Sequence, residues 1–208
     1  MIYNETITEK MGNIAEVIFN NFNSEYYLAG GTAIALQVGH RESIDLDYFI
    51  NENIDTLKLK NLISDSFKSQ KIEFTFEEKN TLWCAIDGVK ISFISRFDPL
   101  ISEVLIIDDF RLAQVNDLVV MKLSAICGRE EYKDYFDLAC LSTVTDARSW
   151  NTWWQEVYKN SDPISFIIAL ANTDNIPEIP LDTKDKFKNI SPKKILSKAV
   201  FEIKSFMV

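Results

Sequence analysis

Asp45 and Asp47 are the residues whose type and spacing most invite chemistry. They lie in the run Ile44 to Ile50, where Ile44, Leu46 and Tyr48 alternate with Asp45, Asp47 and Phe49. Alternation of this kind marks a strand, on which residues two apart share a face. Both carboxylates therefore project into one volume, and that is costly unless a cation sits between them. Mg²⁺ or Mn²⁺ takes such hard oxygen ligands and fills its shell with water and substrate phosphates. An exposed strand end would carry the same pair, so the surroundings decide. Upstream, Gly30-Gly31-Thr32 separates a short apolar run, Tyr26 to Ala29, from a helical stretch, Thr32 to Val38. Free backbone N–H groups there suit a phosphate, and a tight turn capped by Thr32 is the plainer alternative. A strand, a Gly-Gly-Thr turn, a helix and an Asp-x-Asp strand can together surround one triphosphate. Further on, Lys122 and the group Lys133-Asp134-x-x-Asp137 supply charges. These read either as site residues or as a snorkelling lysine and a solvated helix face.

The compound pattern is more specific than its parts. Ala29-Gly30-Gly31-Thr32-Ala33, followed by Gly39-His40-Arg41-Glu42-Ser43-Ile44-Asp45-Leu46-Asp47-Tyr48-Phe49, resembles the AbiEii/AbiGii toxin nucleotidyltransferases. These are relatives of the DNA polymerase β-like superfamily. The resemblance continues through Met121 to Ala125, Gly128-Arg129 and Tyr132 to Leu138. It implies a metal-dependent transfer of an NMP from an NTP to an acceptor hydroxyl, with a tRNA 3′ end as one acceptor. It also implies a role as the toxin of a toxin–antitoxin or phage-defence system, with a cognate antitoxin as partner. By the same resemblance Gly30, Gly31 and Thr32 line the triphosphate, and Ser43 contacts it. Asp45 and Asp47 bind the metal, and Lys122 reaches the phosphates. Arg129, Lys133, Asp134 and Asp137 close the site, with Asp137 and Lys122 counted beside the two aspartates as catalytic. Arg41 fits either a phosphate contact or a charge partner of the aspartates.

The superfamily usually adds a third carboxylate on a later strand to activate the attacking hydroxyl. The corresponding run here, Val89 to Ile94, offers Ser92, which is neither an anionic ligand nor an efficient base at neutral pH. The competing reading is therefore a catalytically weak NTP-binding sensor or interaction module of the same fold. Asp87 and Asp98 are near in sequence, but Asp87 belongs to a turn. His40 is the single histidine, which excludes multi-histidine metal sites; a structural, hydrogen-bonded imidazole is the simpler role for it. From Lys184 to Lys204, seven lysines face Asp185 and Glu202. That reads as a solvated amphipathic helix or as a landing site for an RNA end or an acidic partner protein. Trp150, Trp153 and Trp154 could stack bases, although their spacing is that of packing residues.

The elements around these residues are legible from periodicity. Ile7, Met11, Ile14 and Ile18 mark an amphipathic helix, and a second is expected from Ile54 to Phe67. Ile72 to Phe76 alternates as a strand. Thr81 to Ile86 and Val89 to Ser95 read as a hairpin turning on Asp87-Gly88. Helices follow from Asn116 to Cys127, with Gly128 as stop, and from Glu131 to Leu141. Beyond Arg148 the chain reads as helices broken at Asp-Pro, Ile-Pro and Ser-Pro. The expected class is α+β: a polymerase β-like core with a mixed sheet over residues 1–112, and a helical region over 113–208 that completes the cleft. A net charge of −9 argues against broad nonspecific polyanion binding. Cys84, Cys127 and Cys140 are odd in number, lack zinc-site spacing and have apolar flanks, so reduced, buried thiols are expected. With no basic-then-apolar leader and no run of ~20 apolar residues, the expectation is a cytoplasmic protein that does not engage a membrane.

Overall fold

A computed structural model describes residues 2–159 and 161–206. Helix α1 (Glu9–Asn21) starts where the Thr8 hydroxyl accepts from the Met11 N–H, and it buries Met11, Ile14, Ala15 and Ile18. Strand β1 (Tyr27–Ala29) runs directly into α2 (Gly30–Val38), followed by β2 (Asp45–Ile50) and α3 (Thr56–Ser66). Three antiparallel strands come next: β3 (Ile72–Glu78), β4 (Thr81–Ile86) and β5 (Val89–Ser95). The turn between β4 and β5 places Asp87 at φ 48° and Gly88 at φ 86°, as the Asp-Gly pair predicts. A short hairpin of β6 (Leu105–Ile107) and β7 (Phe110–Leu112) ends the strand region. The helices α4 (Val115–Gly128), α5 (Tyr132–Leu141), α6 (Trp150–Val157), α7 (Ile164–Ala171) and α8 (Pro192–Phe206) follow.

The strands form one mixed sheet in the order β3-β4-β5-β2-β1-β7-β6. β2 is parallel to β5 and antiparallel to β1, and β1 is parallel to β7. One face carries Leu46, Tyr48, Ile50, Leu82, Cys84, Ile86, Ile91 and Phe93, all buried. Phe22 at the end of α1 stacks on Phe93 and also meets Phe67 at the end of α3, so the two helices seal this face. The other face bears Asp45 and Asp47. There α2 lies against β1 and β2, and α4 and α5 pack on α2. One apolar cluster runs through both sides of the expected boundary at residue 112. Its largest fully buried members include Trp150 and Tyr135 from the helical half and Phe67 and Phe93 from the sheet half.

Four expectations need correction. The β6–β7 hairpin extends the sheet on the β1 side; three-residue strands are too short to show a period in sequence. Ile44, counted on the apolar side of its strand, is 74% exposed because β2 begins only at Asp45. Cys127 is exposed, unlike Cys84 and Cys140, since it faces outward on the last turn of α4. Gly128 does not stop α4 but belongs to it, and Arg129 is the capping residue. Among the described residues no helix is long and apolar enough to cross a membrane.

Candidate active site

The site is built where β1 turns into α2. Gly30 has φ 64°, and a Cβ there would lie 2.8 Å from Oδ2 of Asp47, so a side chain would push the carboxylate away from the first turn of the helix. Asp45 and Asp47 occupy the half-exposed side of β2 while Leu46, Tyr48 and Ile50 are buried. Asp47 is in register with Ser92 on β5, whose hydroxyl donates to Asp47 Oδ1 at 2.6 Å. Burial, then the charge of Asp45, raises the Asp47 pKa above its usual value, against the Ser92 hydrogen bond and the charges of Lys122 and Lys133. Behind β2, Thr32 and Ser43 are buried with their hydroxyls 2.7 Å apart. The Thr32 hydroxyl also donates to the backbone carbonyl of Asp45. Both were expected to touch a triphosphate. Here they tie α2 to the start of β2, which fixes where the carboxylates stand.

A second layer holds the cations. Residues three apart on a helix share a face, so Asp134 and Asp137 both point from α5 into the interior, each wholly buried. Asp137 accepts from His40 Nε2 at 2.7 Å and from Arg41 Nε at 2.9 Å, and pairs with Lys122 Nζ at 2.7 Å. Asp134 accepts from Lys122 Nζ at 2.6 Å and from Arg129 Nε at 2.8 Å. Burial by itself would raise the Asp137 pKa, yet Lys122, Arg41 and His40 hold it well below the ordinary carboxylate range. For His40, burial outweighs Asp137 and lowers the pKa, so the ring is neutral at pH 7. It then donates from Nε2, and Nδ1 has no hydrogen-bond partner among the described residues. Lys122, Arg41 and Arg129 thus face Asp134 and Asp137, with Glu131 beside the exposed Arg129.

Lys122, expected to reach the phosphates, is 5% exposed and clasped by both carboxylates, and Asp134 and Asp137 anchor cations instead of lining the cleft. The more exposed cations are Arg129 and Lys133, whose side chains are 50% and 40% exposed and which both pair with Glu131. Both interact electrostatically with Asp47 across the cleft. Gly31 serves the buried layer, for a Cβ there would collide with the Arg41 guanidinium. Gly31→Ala is expected to lower stability by about 1–3 kcal/mol, as overpacking does. Urea denaturation checks this, and an unchanged midpoint would show that Arg41 moves aside without cost.

Comparison with known proteins fits this arrangement. Residues 15–199 match the model of the nucleotidyl transferase AbiEii toxin family of type IV toxin–antitoxin systems. The chain belongs to the AbiEii family. An uncharacterized protein of Aquifex aeolicus is 31% identical over 134 residues, which span 62% of this chain and 64% of that protein. This AbiEii chain thus matches somewhat under two thirds of its relative's length. JHP933 of Helicobacter pylori is similar in structure at a TM-score of 0.54 and 18% identity, over 97% of this chain and 95% of that one. MenT4, a nucleotidyltransferase toxin of Mycobacterium tuberculosis, gives a TM-score of 0.57 at 12% identity, covering 94% and 82%. At such identities the likeness speaks for the fold.

Within this AbiEii chain, Ser92 stands beside Asp47 in the row where a third carboxylate was sought, and among the described residues no third His, Cys, Asp or Glu completes a metal cluster. Asp87 is held in its turn, accepting from the Lys71 N–H, and Asp98 accepts from the Tyr158 hydroxyl and pairs with Arg96. The donor set of Asp45 and Asp47 nevertheless suits a hard divalent cation. Two carboxylates share one face, and Asp47 is acid-weakened by burial and by its neighbour, a cost that a cation would relieve. The tryptophans pack: Trp150 is fully buried with Nε1 donating to Thr145, and Trp154 is buried against Phe166. Lysines of the C-terminal stretch pair with Glu42, Asp185 and Glu202, and α8 buries Leu196, Ala199 and Ile203.

Sequence reading missed a strap over the Arg41 turn. The Glu42 N–H donates to Asp182 O at 2.8 Å, and the Lys184 N–H to His40 O at 3.0 Å. Thr183 bridges Arg41. These partners lie about 140 residues away, and no local signal announces them.

Proposed function

We propose that this chain is a metal-dependent nucleotidyltransferase that moves an NMP from an NTP to an acceptor hydroxyl, acting in the cytoplasm as the toxin of a toxin–antitoxin pair. The observation that carries the reading is the Asp45–Asp47 pair set against the first turn of α2, with Arg129 and Lys133 across the cleft. In this reading residues 1–112 supply the carboxylates and residues 113–208 complete the cleft with cations. Asp45 and Asp47 would hold Mg²⁺ or Mn²⁺, which would neutralise the triphosphate and polarise the α-phosphate. The first turn of α2, at Gly30 and Gly31, offers N–H groups and a positive dipole end to the phosphates, and Arg129 and Lys133 offer charge. The acceptor oxygen bonds to the α-phosphorus as the bond to the β-phosphate bridge breaks. Pyrophosphate leaves on the cationic side, and the hydroxyl proton passes to solvent. Lys122, Asp134, Asp137, Arg41, Thr32 and Ser43 act as positioning residues. An RNA end such as a tRNA 3′ terminus is the acceptor this reading favours, and a cognate antitoxin the partner.

Ser92 favours a second reading, an NTP-binding sensor with little turnover, because a serine stands in the row that would otherwise carry a base. Label transfer from each α-³²P NTP, with Mg²⁺, onto total RNA and onto the protein separates the two. Label that vanishes in Asp45→Ala/Asp47→Ala supports the transferase; tight NTP binding without label supports the sensor.

Ser92 also has a testable role of its own. Its hydrogen bond orients Asp47 and favours the ionised form. Ser92→Ala is expected to raise the Mg²⁺ concentration for half-maximal transfer by about 10-fold, as loss of a group orienting a metal ligand does. Ser92→Thr should keep the wild-type value, and a Ser92→Ala titration overlying wild type would refute the role.

A further inference from the structure

The row joining Asp47 to Ser92 continues across the sheet. Ser92 is in register with Trp83 on β4, and Trp83 with Phe76 on β3. Side chains from four neighbouring strands therefore stand in line on the face that carries the carboxylates. At a strand spacing of about 4.8 Å, the Trp83 backbone lies about 10 Å from that of Asp47. Trp83 is 46% exposed and Phe76 40%, whereas Leu82 and Cys84 on either side of Trp83 are buried in the opposite face. The two rings sit 4.8 Å apart, tilted at 43°. Together they form an aromatic ledge on the half of the sheet opposite to α2. Beside it Lys90, exposed and in register with both Asp45 and Ala85, makes no ion pair among the described residues.

The position of the ledge argues for its ligand. Phosphoryl-type transfer places attacking and leaving oxygens roughly in line. Pyrophosphate departing toward Arg129 and Lys133 puts the attacking group on the other side of the aspartates, where Ser92, Trp83 and Phe76 lie. We propose that Trp83 and Phe76 stack the unpaired terminal nucleobase of a single-stranded nucleic-acid acceptor, with Lys90 meeting the phosphate behind it. This inference rests on the transferase reading with a nucleic-acid end as acceptor. Stacking tolerates any base, since every base has a π face. Of the β3 glutamates Glu73 pairs with Lys71 and Glu77 with Lys60, and Glu78, in register with Thr81 on the ledge face, disfavours a longer phosphate chain there, so the ledge suits one base. The same glutamates, with the register shift between Phe74 and Phe76, disfavour the rival occupant, a protein strand added to the open edge of β3.

The test is direct binding, read by fluorescence anisotropy, of a 5′-labelled unpaired RNA tetranucleotide to wild type, Trp83→Ala, Trp83→Phe and Lys90→Ala. The four Mg²⁺–NTPs are titrated in parallel by calorimetry, and thermal melts verify folding. Trp83→Ala is expected to weaken tetranucleotide binding about 5- to 150-fold, the range for loss of one base–aromatic stack. Trp83→Phe keeps most of the affinity, Lys90→Ala reduces its salt dependence, and NTP binding is unchanged throughout. The proposal is overturned by equal tetranucleotide affinity in wild type and Trp83→Ala, by a wild type that does not bind the tetranucleotide, or by parallel loss of NTP binding, which would make the ledge a donor-base site. A Trp83→Ala protein that keeps RNA but no longer retains a co-expressed antitoxin would also overturn it, in favour of a protein face. Because binding is read without turnover, absence of label transfer with every NTP counts against the transferase alone, while intact transfer without a Trp83 effect counts against the ledge alone.

Discussion

Asp137→Asn is expected to lower the folding free energy by about 3–5 kcal/mol and to abolish measurable transfer. In the native chain Asp137 is the shared counter-ion of Arg41 and Lys122 and the acceptor for His40, all buried. Asparagine keeps the shape but brings an NH₂ group and no charge, leaving buried Arg41 without its counter-ion and Lys122 with Asp134 alone. The pH dependence supplies a second reading. A carboxylate whose folded pKa is depressed contributes stability that is fully present above its unfolded value, about 3.9. That stability is lost as pH falls through the folded value, which for Asp137 lies well below. Wild type should therefore lose this contribution in the acid range below pH 4, and the variant should lack that component of acid sensitivity. Urea midpoints at pH 7 and in steps below pH 4 measure both. A variant with the wild-type midpoint at pH 7 would mean that the cations find other partners, and the two-layer description of the site would fall.

The Asp45–Asp47 pair should behave in the opposite sense. Asp45→Ala/Asp47→Ala is expected to reduce transfer on the order of 10³-fold or more, because both ligands for the cation and its charge stabilisation are lost together. In metal-free buffer, however, Asp47→Asn alone should stabilise the fold by about 0.5–2 kcal/mol. The sign follows from the raised pKa of Asp47, which burial and the Asp45 charge produce. A folded state that holds the proton more tightly than the unfolded one loses stability as pH rises through the folded pKa. At neutral pH the Asp47 carboxyl is therefore a net cost to folding, and the uncharged amide removes it. Thermal melts in EDTA at pH 7.5, set against label transfer with Mg²⁺, give the two readouts. If Asp47→Asn melts lower than wild type in EDTA, the carboxylate stabilises the fold and is not strained for function.

Much of this was legible in the sequence, for identifiable reasons. The alternation over Ile44 to Ile50 placed both aspartates on one face. Asp87-Gly88 marked its hairpin because few other pairs accept positive φ at both turn positions. The apolar spacing of α4 and α5 located Lys122, Asp134 and Asp137 on helices. Periodicity could not say which way the buried charges face. Asp134 and Asp137 look like a solvated helix surface until Arg41 and His40, brought from almost a hundred residues away, cover them. Thr32 read as a phosphate ligand or a turn cap and Ser43 as a phosphate contact, and only the meeting of α2 with β2 joins their hydroxyls. β6 and β7 carried too few residues to show a pattern. Trp83 drew no notice in its strand, because its alignment with Asp47 depends on the register of two strand pairs.

The strap between residues 181–184 and the turn at 40–43 has a consequence for how this protein comes into being. Such a contact closes a loop of some 140 residues and is slow to form by chain diffusion. During synthesis the turn bearing Arg41 leaves the ribosome some 140 residues ahead of its backbone partners at Asp182 and Lys184. A nascent or truncated chain lacking them has the aspartate pair and the first turn of α2, yet not the bonds that hold Arg41 over Asp137. Arg41 is thus held over Asp137 by these bonds only once residues 182–184 have been made, well after the aspartate pair.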